Sequence, residues 1–270
     1  MTQVKAYVPG LGARSTELED FLSAQREAGM DYFSDGLLPW PDPVAPLAQR
    51  VEECGRAASG AETVATGTVV EPLGEPYFQP SAMPRGRWIS TLPSPLALAR
   101  ATGLSARNAA ETALSPQLGW LADNGCAFAV LQEAEMPEEP DLRELEVALA
   151  ALESSLPLVL RLPPGDAASV IPRLAELPVE AVGADMCATD PAALLEPFPK
   201  TLLAGVVDAA SAKPEEPSRV AARHESLLER LAGEADLHLA PNGNLRALAP
   251  EQAARKVRVL GDAARILRGG

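Results

Sequence analysis

Four carboxylates in this chain follow short apolar runs: Asp35, Glu133, Asp185 and Asp208. Gln132, Arg161, Asn242, Asn244 and Arg246 stand at comparable places. Carboxylates brought together raise one another's proton affinity, and can then move protons or hold a cation. The alternative for each is a cap on the following helix or a tie for a loop. Arg161 and Arg246 could hold a substrate carboxylate through their planar, fork-like donors. All of this requires a fold that brings the ends of the runs to one place.

The order of elements supplies such a fold. Apolar runs at 3–8, 30–34, 87–91, 127–131, 157–161, 179–184, 202–207 and 236–240 read as strands. Helical stretches rich in Ala, Leu and Glu alternate with them, at about 15–28, 43–58, 105–124, 140–153, 166–175, 190–196, 216–232 and 250–268. Pro250 opens the last helix in proline's favoured first turn. Eight strand–helix pairs predict an α/β fold, a single (β/α)8 TIM barrel over 1–270. A doubly wound open sheet is the alternative, but neither GxGxxG nor a P-loop occurs. In a barrel the chemistry sits beyond the C-terminal ends of the strands, where the residues above fall. The stretch 59–86, with Thr–Val alternation and then Gly and Pro, predicts a hairpin-like insertion that covers the site as a lid.

Composition excludes several classes. The 270 residues carry a net charge of −14, which disfavours nucleic acid and anionic membranes. No apolar run is long enough to span a membrane, and the N-terminus lacks the apolar core of a signal peptide. Cys54, Cys126 and Cys187 are odd in number and widely spaced. They suit a reducing, cytoplasmic setting rather than a disulfide framework. His224 in RHESLLER reads as solvated surface, and His238 as a core or barrel-lining residue. Cys187 reads as a small buried hydrophobe before it reads as a nucleophile.

Five segments in order resemble one family, the cobalamin-independent methionine synthases, in their catalytic C-terminal barrel and short core forms. They are AGMDYFSDG at 28–36, ISTLPSPLALAR at 89–100, GCAFAVLQEAEM at 125–136, LAGVVDAASAK at 203–213 and LHLAPNGNLRAL at 237–248. The uroporphyrinogen decarboxylases share this barrel. The resemblance implies methyl transfer from a methyl-tetrahydrofolate to a thiol held as thiolate by zinc, which lowers the thiol's pKa.

The chain departs from the family at the metal positions. The His-x-Cys pair falls near Arg161 and Pro163, the next Glu at Asp185, and the last Cys at Gly243. One oxygen ligand cannot make a tetrahedral zinc site, so zinc is not expected. The positions that hold homocysteine change as well: Gln132 for Asp, Leu37 for Glu, and Leu11 near the first-strand Ser, although Glu133 remains. Arg161 is expected to pair with Asp185. A rearranged metal site from Asp185, Cys187 and His238 stays open.

The resemblance thus implies a zinc-less methyltransferase-like protein, folate-linked, with an altered acceptor. Asp185 and Glu133 are its expected catalytic residues. Asp35, Gln132, Arg161, Asp208, Asn242, Asn244 and Arg246 are its expected substrate-binding residues. One alternative is a non-catalytic barrel that assists a separate zinc-bearing methionine synthase core. A metal-free lyase or decarboxylase is another.

Overall fold

The computed structural model describes residues 2–10, 12–13, 16–59, 69–75, 77–231, 233 and 235–269, with the backbone alone at 55–59 and 140. Leu11, Ser15 and much of the expected insertion (60–68 and 76) lie outside them.

Seven parallel strands form one sheet: β1 (Val4–Ala6), β2 (Trp88–Pro93), β3 (Cys126–Gln132), β4 (Leu158–Arg161), β5 (Ala181–Asp185), β6 (Thr201–Val207) and β7 (Leu237–Pro241). Their order is β1-β7-β6-β5-β4-β3-β2. From β2 to β7 each strand lies beside its successor, and β1 lies beside β7. That is the order of a barrel-like curled sheet opened between β1 and β2. The strands read as unbroken apolar runs because both faces of a parallel sheet are covered. All five residues of β5 and of β7 are buried.

The expected strand at 30–34 is a correction. It shrinks to one bridge, Phe33 with Trp88. The segment still bonds to both sheet edges, Asp31 N to Ala6 O at 2.9 Å and Ile89 N to Phe33 O at 2.8 Å. A regular ladder fails because Ala6 N gives its hydrogen bond to the Asp31 side chain, at 2.7 Å, instead of to a backbone carbonyl. The described part of 59–86 contains no strand. It is irregular chain with a 3-10 turn at Pro80–Ala82, pinned by Val70 N to Thr112 O at 2.8 Å. Tyr77 and Phe78 pack there against Trp40 and Trp120.

Helices cover the outside of the sheet: α1 (Leu18–Glu27), α2 (Ala45–Ser59), α3 (Pro95–Thr102), α4 (Ala106–Asn108), α5 (Ser115–Asp123), α6 (Glu139–Ala150), α7 (Ile171–Leu174), α8 (Pro217–His224), α9 (Ser226–Arg230) and α10 (Pro250–Leu267). A π-helical segment, Ala109–Leu114, joins α4 to α5. In α10, Ala253, Val257, Leu260 and Ala264 recur at helical spacing and are buried. The stretch expected as a helix at 190–196 is a 3-10 turn, Pro191–Ala193.

Two apolar layers result. One lies between sheet and helices. The other fills the inside of the curled sheet with Tyr7, Ile89, Phe128, Val130, Val159 and Leu203. Each such side chain stabilises the fold by roughly 1.5–3 kcal/mol on burial. His238 belongs to this inner layer: its ring lies 5.4 Å from that of Tyr7, and its Nδ1 is 3.2 Å from the Tyr7 hydroxyl. Burial lowers its pKa to about 4, so it is neutral at pH 7. His224 is a correction. It is buried, not solvated, with Nδ1 2.8 Å from Val220 O and Nε2 3.3 Å from Met186 O.

Candidate functional site

The C-terminal ends of β1, β3, β4 and β7 meet at Arg161. This residue ends β4, and its side chain rises through the centre of the strand ends at 4% exposure. Nη1 donates to Pro9 O at 3.3 Å, after β1, and to Gln132 Oε1 at 3.2 Å, at the end of β3. Nη2 donates to Pro241 O at 2.8 Å, on β7, and to Gly243 O at 3.3 Å. One guanidinium thus ties together four strand ends. Burial lowers its pKa to about 10, which leaves it cationic at pH 7. With four donors committed, Arg161 does not serve as a free clamp for a substrate carboxylate.

The expected pair of Arg161 with Asp185 does not form, because the two make no contact within 4.0 Å. Asp185 instead accepts from four donors of its own. Cys187 N and Ala188 N reach Oδ1 at 2.9 and 3.3 Å, and Gly165 N and Asn242 Nδ2 reach Oδ2 at 3.0 and 3.1 Å. Asn242 also accepts from Ala209 N at 2.8 Å. This is the loop-tying alternative, and Asp208 follows it, its Oδ1 accepting from Ala210 N at 2.9 Å.

The four carboxylates stand at strand ends but do not cluster. Among the described residues no three His, Cys, Asp or Glu side chains are placed to hold a metal ion. This removes the rearranged site of Asp185, Cys187 and His238. Asp35 is buried, with Oδ1 accepting from Leu37 N at 3.0 Å and Oδ2 lacking a hydrogen bond of ordinary geometry. Its pKa rises to about 6 because burial penalises the anion, not because a second carboxylate crowds it. Arg246 Nη1 donates to Leu38 O at 3.2 Å, which binds the loop after β7 to the one that follows Asp35.

Glu133 has a different setting. It lies on the wall of a cleft of about 580 Å³ that opens at the strand ends, together with Gln132, Asn244, Asp42, Ala48 and Pro164. Ser94, the N-cap of α3, donates to Glu133 Oε2 at 2.6 Å, and Ala134 N donates to Oε1 at 3.0 Å. Arg100, in the last turn of α3, approaches Oε1 at 3.7 Å. Burial still pushes the Glu133 carboxyl above the ordinary carboxylate range. Ser94 and Arg100 were missed by sequence reasoning, although Ser94–Pro95 is a recognisable cap followed by a first-turn proline.

The positions matched to zinc ligands do converge, but with the wrong chemistry. Arg161 reaches Gly243 O, and Asp185 is spent on loop amides and Asn242. A Cβ added at Gly243 would lie 2.9 Å from Pro164 Cγ, so the space for a side chain there is already filled. Gly10, with φ +80°, lets the β1 loop reach this point. A Cβ there would meet Asn244 Oδ1 at 2.6 Å and Arg161 Nη1 at 3.2 Å. A guanidinium among carbonyl oxygens offers neither thiolate nor imidazole, and the donor set does not fit zinc.

This curled parallel sheet, with polar groups gathered at its C-terminal ends, is the fold of the B12-independent methionine synthase-like proteins. A B12-independent methionine synthase from Shewanella sp. W3-18-1, solved with selenomethionine, superposes with a TM-score of 0.72 at 15% identity, over 99% of this chain and 97% of that one. A Listeria monocytogenes protein assigned as a vitamin B12-independent methionine synthase gives 0.64 at 15% identity, over 98% and 99% of the two chains. A methyltransferase from Methanosarcina mazei gives 0.50 at 12% identity, over 97% and 94%. No family model and no curated protein sequence matches the chain. No helix among the described residues is long and apolar enough to cross a membrane.

Proposed function

We propose that the protein is a zinc-independent one-carbon transferase on a methionine-synthase-like (β/α)8 barrel. Its substrates would be a methyl-tetrahydrofolate and a small acceptor bound in the cleft beside Glu133. The observation that carries this reading is Glu133 itself: a buried carboxyl of raised proton affinity on the wall of an open cleft. A stronger base can remove a proton that an ordinary carboxylate leaves in place. In the proposed step the acceptor passes its proton to Glu133 and its lone pair attacks the methyl carbon. The carbon–nitrogen bond of the donor breaks, and the donor nitrogen keeps the electron pair and takes a proton from solvent.

Gln132 and Asn244 stand on the same wall, Gln132 with its amide bonded to Glu133 O and to Arg161. Asp35, Asp185, Asp208, Asn242 and Arg246 hold the surrounding loops. Arg161 stands where the family's metal would stand and organises the strand ends in its place.

A second reading has its own support. With its centre filled by a saturated guanidinium, the barrel could assist a separate zinc-bearing core without catalysing anything itself. Equilibrium dialysis against methyl-tetrahydrofolate, followed by methyl-transfer assays with thiol and amine acceptors, separates the two. Transfer that survives a chelator and is lost in Glu133→Gln supports the first reading. Binding without transfer, together with stimulation of an added zinc-bearing core, supports the second. Neither binding nor transfer overturns both.

A further inference from the structure

A larger cavity, of about 910 Å³, lies away from the Glu133 cleft, between the loop after β6 and the side of α8. We propose that it is a binding site for a small oxyanion, a carboxylate or a phosphate. The proposal is independent of the transferase reading.

Three cationic side chains, Lys213, Arg219 and Arg223, line this cavity. Among the described residues, the side chains of Lys213 and Arg219 have no hydrogen-bond or ion-pair partner. Arg223 gives one bond, from Nη2 to Cys187 O at 2.8 Å, which fixes its guanidinium at the wall. Planar guanidinium donors match the geometry of a carboxylate or a phosphate.

The acids of the same wall offset these charges only in part. Glu215 is already neutralised: both of its oxygens accept from Lys256 Nζ at 2.9 Å, and Oε1 also accepts from Asp208 N. Asp208, with one oxygen accepting from Ala210 N, is one counter-charge. Glu216 is exposed and remains as a counter-charge. Burial pushes the Cys187 thiol up to about 12, so it adds no negative charge. The His224 ring is spent on two backbone carbonyls. Val206 and Val220 give the cavity an apolar floor.

The rest of the molecule sharpens the point. At a net charge of −14 the surface as a whole repels anions. Saturable anion binding therefore has to be local, and this cavity gathers three cations, two of them unpaired.

The test is calorimetric titration of the full chain with inorganic phosphate and, separately, with succinate, in a chloride buffer. The expected result is saturable binding of at least one of them. Arg219→Gln should weaken it at least tenfold, and Lys213→Gln with Arg219→Gln should abolish it. Arg143→Gln, an exposed arginine on α6, should leave it unchanged. Whichever probe binds identifies the source as phosphate or carboxylate. The altered side chains are exposed, and a melting curve confirms that each variant folds. No saturable heat with either probe, or unchanged affinity in the double variant, overturns the proposal.

Discussion

Arg161 Nη2 donates to the carbonyl of Gly243 at 3.3 Å, joining the end of β4 to the loop after β7. These are two of the positions matched to metal ligands in the resembling family. Here a hydrogen bond from a buried cation joins them. The same guanidinium holds Pro9 O and Pro241 O, so its removal would strand three buried carbonyls.

Arg161→Met is therefore expected to destabilise the protein by about 3 kcal/mol or more, since each buried polar group left unpaired costs roughly 1–3 kcal/mol. Arg161→Lys should recover only part of this. A lysine keeps the charge but cannot place donors in a fixed plane on three other strand ends at once. Urea unfolding of the three proteins gives the comparison. Equal midpoints would show that the strand ends hold without the guanidinium.

Gly243→Cys tests the metal position directly. The new Cβ would meet Pro164 Cγ at 2.9 Å, and overpacking of this kind costs about 1–3 kcal/mol. The new side chain would find Pro164 and Ala209 as nearest neighbours, not a histidine and a second thiol. The expectation is a less stable protein whose melting temperature is unmoved by zinc or by a chelator. A rise in melting temperature with zinc would show that a site can still assemble there.

Much of this arrangement was legible in the sequence. The apolar runs marked every regular strand among the described residues, and LQEAEM and APNGNLR marked strand ends that Arg161 joins. Other features were hidden because tertiary contacts overrode local pattern. Asp31 takes the amide of Ala6 with its side chain, so the run at 30–34 makes a bridge where alternation suggested a strand. His224 looked solvated within RHESLLER, yet Val220, Ala221, His224 and Leu227 form one buried stripe at helical spacing. α3 was passed over because LPSPLALAR reads as a strand end and loop. Its Ser94 cap turns out to hold Glu133. The pairing drawn between Arg161 and Asp185 followed charge alone, whereas backbone carbonyls and amides satisfied each of them separately.

Asp35 should impose a pH dependence on stability. Its pKa is about 6 in the folded chain against 3.8 for the ordinary carboxyl. A raised folded-state value means that the protonated form is favoured by folding. The contribution is fully present below about pH 4 and is lost as pH rises through 6. By linkage it amounts to roughly 3 kcal/mol. Asp35→Asn should remove this falling limb and leave the variant more stable than the parent above pH 6, relative to their difference at pH 4. Unfolding midpoints in urea from pH 4 to 8 measure it. Parallel curves for the two proteins would show that Asp35 is not the titrating group.

Lys256 holds the loop after β6 through a buried ion pair. Its side chain has 0% exposure on α10 and donates to both oxygens of Glu215, whose side chain is 27% exposed. Glu215 in turn accepts from Asp208 N, so the pair anchors the loop after β6 to the C-terminal helix. Removing one member of a buried pair leaves the other uncompensated, at up to about 3–5 kcal/mol, whereas removing both is often far milder. Glu215→Gln strands the fully buried ammonium and should therefore cost more than Lys256→Met, which leaves a carboxylate that water can reach. The double variant should be more stable than Glu215→Gln alone, and a double-mutant cycle from unfolding free energies gives the coupling. Additive losses would mean that the loop is anchored by something other than this pair, and that Lys256 tolerates burial without Glu215.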